Sequence, residues 1–283
     1  MRVIGLFGDA QLVVSRAANL APVKNRDAVA TASRRGSDGR LGVGRASRPA
    51  RAEVRSGRAL TRLETYWPLL AGLVTALLIW AFIQISSEMV EGDTHAFDVA
   101  TLRAAQNFRV GHTWVAEVMR DLSGLGSTAV LTLFTVIAVG YLAVVRARLM
   151  AVLVAAAVIT GSVGVSVLKG QFGRPRPGAE FAELVAPGLS FPSGHATISA
   201  IVFLTIAALI ASTRTRAGEQ TYILATATLM ALLVGLSRIA LGVHWATDVV
   251  AGWALGAAWA VAWLLLARGL KRRFLGSVGG DGQ

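Results

Sequence analysis

Cysteine is absent from the whole chain of 283 residues, which excludes disulfides, thiolate metal sites and a cysteine nucleophile and leaves serine, histidine and carboxylate chemistry open. Charge is scarce too. Only 16% of residues are Asp, Glu, Lys or Arg against 54% hydrophobic, and the mean hydropathy is +0.58. That is too apolar for an ordinary soluble domain of this size. Acids are the scarcer sign: 16 Asp and Glu stand against 28 Lys and Arg, a formal net charge of +12. The cations sit in the N-terminal tail and in short loops between apolar runs, the pattern of a membrane protein oriented by its basic loops rather than of a nucleic-acid binder. Nucleic acid is therefore not an expected partner, and the sequence names no protein partner.

Residues 1–63 are rich in Arg, Ala, Gly and Ser, with Arg34, Arg35 and the arginines from Arg45 to Arg62. This composition predicts a disordered basic cytoplasmic tail, dispensable for chemistry. Met1 to Leu20 is broken by Gly8, Asp9 and Arg16, which leaves no clean signal-peptide core and no spanning length. Beyond the tail, six apolar runs approach the roughly 20 residues that a membrane helix needs: Trp67 to Ile85, Ser127 to Val145, Leu149 to Leu168, His195 to Ser212, Thr221 to Leu236 and Trp245 to Ala267. Tyr66 and Trp67 form an interfacial anchor for the first, and Ser123 or Ser127 is the expected N-cap of the second. Gly161, Ser162, Gly164 and Ser166 give the third a small-residue surface for a neighbouring helix. Two amphipathic segments, Phe97 to Phe108 and Thr113 to Leu122, are too polar to span and are expected to lie along the membrane surface. His95 and His112 fall there as ordinary surface histidines. The fold class is thus all-α, an integral membrane bundle of six helices over residues 64–273, followed by a flexible tail from 274 to 283.

Three polar interruptions of the apolar sequence carry the chemistry. They read KGQFGRPRP from Lys169 to Pro177, PSGH from Pro192 to His195, and SRIALGVHWATD from Ser237 to Asp248. An unpaired charge at the bilayer centre costs roughly 2.5–3.5 kcal/mol, so residues of this kind need a reason to be there. His244 and Asp248 are four apart, and on a helix the carboxylate reaches the imidazole, fixing its tautomer and stabilising the imidazolium. Gly252 and Gly256 continue the same face at the same spacing. Lys169, Arg176 and Arg238 supply cations whose geometry and charge suit phosphate oxygens, and Arg174 adds another with no acids nearby beyond Glu180 and Glu183. Ser193 and the N–H of Gly194 open an apolar helix whose N-terminus favours an anion. Two histidines allow one to act neutral as nucleophile and one protonated as acid. Spacing alone does not say which is which, although Asp248 favours His244 as the activated one.

These segments resemble the signature of the type 2 phosphatidic acid phosphatase superfamily, K-x6-RP, PSGH and SR-x5-H-x3-D, matched at every defining position. With the helices around it, the resemblance covers roughly the C-terminal three quarters of the chain. It implies that His244 attacks phosphorus, Asp248 orients it and His195 protonates the leaving oxygen, with water then hydrolysing the phosphohistidine. It also implies that Lys169, Arg176, Ser193, Gly194 and Arg238 hold the phosphate. Arg174 and Pro175 lie outside the signature.

The expected activity is hydrolysis of a lipid phosphate or pyrophosphate whose tail stays among membrane lipids. Undecaprenyl pyrophosphate, phosphatidylglycerophosphate and phosphatidic acid all suit such a pocket. No cofactor and no metal is expected, since magnesium sites are built from carboxylates and Asp248 is already assigned to a histidine. A phosphotransferase, with an alcohol intercepting the phosphohistidine, is the nearest rival. The related vanadate haloperoxidases share the pocket but are soluble. A transporter or lipid scaffold would place its polar groups near the midplane on broken helices, whereas here they gather at helix ends. The positive-inside rule puts Arg146, Arg148, Arg214, Arg216, Arg268 and Lys271 to Arg273 in the cytoplasm. The motifs then lie on the extracytoplasmic face of a bacterial plasma membrane.

Overall fold

The computed structural model describes residues 50–278, with side chains over residues 66–271. Eight helices follow in order among the described residues: α1 Ala50–Glu91, α2 His95–Gly111, α3 Trp114–Leu125, α4 Thr128–Val144, α5 Arg148–Phe172, α6 Gly194–Ser212, α7 Ala217–Ala240 and α8 Ala246–Val278. An all-helical chain is what lipid demands, because a helix satisfies its own backbone polar groups where no water can. Among the described residues, six stretches are long and apolar enough to cross a membrane, one of them α3 and α4 taken together from Trp114 to Val144.

Local sequence explains most of the boundaries. Ser127 caps α4, its hydroxyl accepting from Val130 N–H, and Ser193 caps α6 in the same way through Ala196 N–H. Gly173 ends α5 in the left-handed conformation, φ 61°, which glycine enters without steric cost. α1 begins at Ala50, so it overlaps the last part of the segment expected to be disordered; the rest of that tail, and the end of the C-terminal one, lie outside the described residues.

α6 is the central rod. Of its apolar window 61% is buried, against 6% for the α3–α4 stretch. It packs on α5, α7 and α8, while α1 lies along α8 and α3 along α7. Lipid gives no hydrophobic push between helices, so small residues that admit close contact decide these pairings. The expected glycine face of α8 does this: a Cβ on Gly252 would sit 3.0 Å from Ser193 O, and one on Gly256 2.5 Å from Thr197 O. The third span behaves differently from its expected small-residue surface. Gly161 faces Ile201 and Trp259, but Ser162 and Ser166 are exposed and return their hydroxyls to Val158 O and Ser162 O of their own helix.

The helix succession sorts the polar groups by end. Arg146, Arg148, Arg214 and Arg216 lie at one end of the bundle, where Arg268 also sits 5.1 Å over the Trp67 ring. The other end gathers the C-terminal turns of α5 and α7, the N-terminal turns of α6 and α8, and α2.

Candidate active site

α5 delivers Lys169 in its last turn, and Nζ donates to Leu189 O at 2.5 Å and Ser190 O at 3.2 Å. These bonds draw the loop 173–193 over the helix end. The loop is closed by Ser190, whose N–H donates to Arg174 O and whose hydroxyl donates to Pro175 O. Phe191 is fully buried against Phe82 and Phe172 and pins the loop's far end. Ser193 N–H then donates to Asp248 O at 3.0 Å, tying the start of α6 to the first turn of α8. A Cβ on Gly194 would lie 4.0 Å from Lys169 Cε, so the free N–H groups of the α6 N-terminus open beside that ammonium.

His244 is 1% exposed. Its Nδ1 lies 3.2 Å from Asp248 Oδ2, and its Nε2 lies 3.0 Å from Arg176 Nη1. A guanidinium has no acceptor and a carboxylate no donor, so the tautomer follows: Nδ1 carries the proton and Nε2 the lone pair. The pairing does not run along a helical face as the spacing suggested, because α8 starts only at Ala246. Instead Asp248, in the first turn, reaches back across the cap, where Oδ2 also accepts from Trp245 N–H at 3.0 Å, the geometry of half a capping box. Burial, with the charges of Arg176 and Lys169, pushes the His244 imidazole down to about 4 against the pull of Asp248. It is therefore neutral near pH 7.

Arg238, in the last turn of α7, is 6% exposed and gives Nη1 to Ser123 Oγ. Ser123 thus serves as this arginine's acceptor, and Ser127 alone caps α4. Arg238 Nε is buried with no partner among the described residues. A buried donor left unsatisfied costs about 1–3 kcal/mol, which an anion in the pocket would return. His195, in the first turn of α6, shares the electrostatic field of Arg238, His244, Arg176 and Lys169. All eight residues singled out in the sequence therefore gather at one end of the bundle.

Arg174 is a correction. It is not an unmatched cation: Nη2 meets Asp98 Oδ2 at 2.6 Å and Nη1 meets Asp248 Oδ1 at 2.7 Å. Lys169, Arg174, Arg176 and Arg238 with Asp98 and Asp248 leave an excess of two positive charges, matching a phosphate monoester dianion. The surface reading of the amphipathic segments changes as well. Asp98 and Arg109 on α2 are buried, and Arg109 donates to Ala240 O and Phe181 O and pairs with Glu183. α3 packs on α7 and carries Ser123 to Arg238. Periodicity missed Asp98, Arg109, Ser123 and Thr247. The available signal was that Asp98 and Arg109 are eleven apart, three turns of helix, and so share one face. The His95 ring lies tilted at 58° to the Trp245 ring, 5.9 Å between centroids, and His112 bonds to Phe108 O. Among the described residues, no three His, Asp or Glu side chains are grouped to hold a metal ion.

The family model described as the PAP2 superfamily matches residues 147–272, a span that contains all three motifs. Phosphatidylglycerophosphatase B of Bacillus subtilis (strain 168) is 32% identical over 179 residues, which cover 62% of this chain and 85% of that protein. The crystal structure of a transmembrane PAP2-type phosphatidylglycerolphosphate phosphatase from Bacillus subtilis superposes with a TM-score of 0.62 at 28% identity, over 70% of this chain and 96% of the other. A six-span helical bundle that gathers these motifs at one end, with relatives matched over most of their length, belongs to the PAP2 superfamily as an integral membrane phosphatase.

Proposed function

We propose that the protein hydrolyses a lipid phosphate monoester, of the phosphatidylglycerophosphate class, through a phosphohistidine on His244. The observation that carries this is the His244 tautomer: a buried neutral imidazole with Nδ1–H on Asp248 and its lone pair turned to the arginine that would meet the phosphate. The names of the two relatives support the headgroup.

In the proposed reaction the phosphate enters between Lys169, Arg238, Ser193 and the Gly194 N–H. Arg176 leaves Nε2 for a phosphate oxygen, and Nε2 attacks phosphorus in line. The P–O bond to the lipid breaks as His195 protonates the departing alkoxide. Water then attacks the phosphohistidine, His195 takes its proton, and inorganic phosphate leaves. Phosphoryl transfer asks chiefly for positioning and charge stabilisation, and the pocket is rich in donors for both. Carboxylates are few around it and already bonded to Arg174, His244 and Thr247, which supports catalysis without a metal.

The experiment is phosphate release by the purified protein from phosphatidylglycerophosphate, phosphatidic acid and undecaprenyl pyrophosphate, each with and without EDTA. Release from phosphatidylglycerophosphate, insensitive to chelation and inhibited by vanadate, is expected. No release from any of the three rejects the reading, and EDTA inhibition reversed by magnesium rejects the metal-free mechanism.

The same reading places the site on the extracytoplasmic face of a bacterial plasma membrane, supported by the basic loops at the opposite end of the bundle. Gly178 and Thr215 are exposed at opposite ends, and the absence of cysteine makes single labels clean. A Cβ at Gly178 displaces only the mobile end of the Glu180 side chain. Gly178→Cys is expected to react with a membrane-impermeant thiol reagent in intact cells, and Thr215→Cys only after permeabilisation. The reverse pattern overturns the orientation.

A further inference from the structure

Asp98 lies outside all three motifs, on a helix whose sequence reads as a surface segment, yet it is fully buried. Both of its oxygens are engaged. Oδ1 accepts from Thr247 N–H at 2.9 Å; Oδ2 accepts from the Thr247 hydroxyl at 2.7 Å and from Arg174 Nη2 at 2.6 Å. Arg174 passes the connection on, with Nη1 donating to Thr247 Oγ1 at 2.8 Å and to Asp248 Oδ1 at 2.7 Å. Asp248 Oδ2 then faces His244 Nδ1 at 3.2 Å. An unbroken chain of polar contacts therefore runs from α2 to the imidazole.

A brace for α2 alone would need one contact with any neighbour. Here every contact of the carboxylate goes to the two residues that set Asp248: Thr247, whose N–H sits in the first turn of α8, and Arg174, which holds Asp248 Oδ1. The charge arrangement also has a purpose. Arg174 divides its two terminal nitrogens between two carboxylates. Without Asp98 its full attraction would fall on Asp248, drawing that carboxylate away from the imidazole, and misplacement by about 1 Å at a reacting group costs on the order of 100-fold in rate.

We propose that Asp98 is a positioning residue for the phosphatase reaction, holding Arg174 and Thr247 so that Asp248 keeps the His244 imidazole aimed into the phosphate pocket. This rests on His244 being the nucleophile. Asp98 touches neither the phosphate-holding groups nor the imidazole, so its effect falls on the chemical step and not on anion binding.

The test uses the full chain in proteoliposomes. Asp98→Asn keeps the shape and the acceptor for Thr247 N–H but removes the charge that shares Arg174. The expected result is a kcat lower by about 10- to 100-fold, with KM and the competitive Ki of inorganic phosphate within about threefold of wild type. A wild-type kcat overturns the proposal. So does a loss of kcat that disappears when turnover is normalised to the folded fraction, because that is the mark of a purely structural residue, and so does a loss of phosphate affinity as large as the loss of kcat. Combined with Arg174→Gln, the double variant is expected to be no slower than the slower single one; fully additive losses overturn the route through Arg174. If Asp98→Asn yields no folded protein, Thr247→Val removes only the hydroxyl link. It is expected to lower kcat about threefold or more at unchanged phosphate Ki, and a wild-type kcat there overturns the proposal equally. His244→Ala run alongside separates the two failures: turnover retained by that variant rejects the nucleophile, whereas a wild-type kcat in Asp98→Asn with His244→Ala inactive rejects only the positioning role.

Discussion

Replacement of His244 by alanine is expected to abolish turnover, a loss of at least about 10⁴-fold by analogy with removal of a nucleophile or its base in hydrolases, and to abolish any acid-labile phosphoenzyme. The argument is geometric. The imidazole is held at Nδ1 by Asp248 and turns Nε2 to Arg176, and alanine removes that lone pair without replacing it. His195→Ala separates the roles: with a substrate bearing a good leaving group, which needs no proton, it should still form phosphoenzyme and then hydrolyse it slowly. Rapid quench with substrate labelled in the phosphate reads both. Wild-type turnover by His244→Ala removes the nucleophile assignment.

The same residue sets a pH expectation. Burial holds the folded imidazole at about 4, below the roughly 6.5 of an unfolded chain. The lone pair thus remains available through mild acid, and the acid limb that His244 contributes to kcat/KM falls near pH 4. For stability the sign follows from proton binding. Between about 6.5 and 4 the unfolded chain binds a proton that the folded one refuses, so the His244 contribution is lost as pH falls through that window and is constant above it.

Much of the site was legible because its chemistry is local in sequence. PSGH places a hydroxyl, a bare N–H and an imidazole at one helix start, and SR-x5-H-x3-D places a cation at the end of one span and a His–Asp pair at the start of the next. The spans were legible because lipid imposes length and apolarity directly. What periodicity did not reveal is tertiary. The spacing of Asp98 and Arg109 puts them on one face of α2 but does not say that this face turns inward, because an amphipathic helix on a membrane surface and one laid across a polar site have the same pattern, apolar on one side and charged on the other. The carboxylate partners of Arg174 lie 76 and 74 positions away, and the hydroxyl that accepts from Arg238 lies 115 positions away. Spacing rules reach three or four residues. The small-residue stripe of the third span misled for a related reason: Gly161 meets a helix, but the exposed serines bond to their own backbone and ask for no neighbour.

Gly242→Ala is expected to be the most damaging substitution outside the motif side chains. Gly242 stands two residues before His244 with φ at +69°, a conformation that costs an alanine about 1–2 kcal/mol. Space is the harsher constraint. A Cβ there would lie 1.9 Å from Phe181 O and 2.5 Å from Phe181 C, which are backbone atoms and cannot rotate aside. Nor is that backbone free to retreat. Phe181 O accepts from the buried Arg109 at 2.9 Å, and Glu183 N–H donates to Leu241 O at 3.0 Å. Relief must come from the 241–245 turn itself, and that turn carries Val243, whose carbonyl holds Arg176, and His244 with its lone pair. Overpacking of this kind adds about 1–3 kcal/mol, so the variant should unfold at lower temperature and, where folded, lose kcat by about 100-fold or more through displacement of Nε2. Thermal unfolding in detergent and phosphate release measure the two effects separately. A variant with wild-type kcat would mean that the turn can move without disturbing the imidazole, and that the close contact between 242 and 181 is not what sets His244 in place.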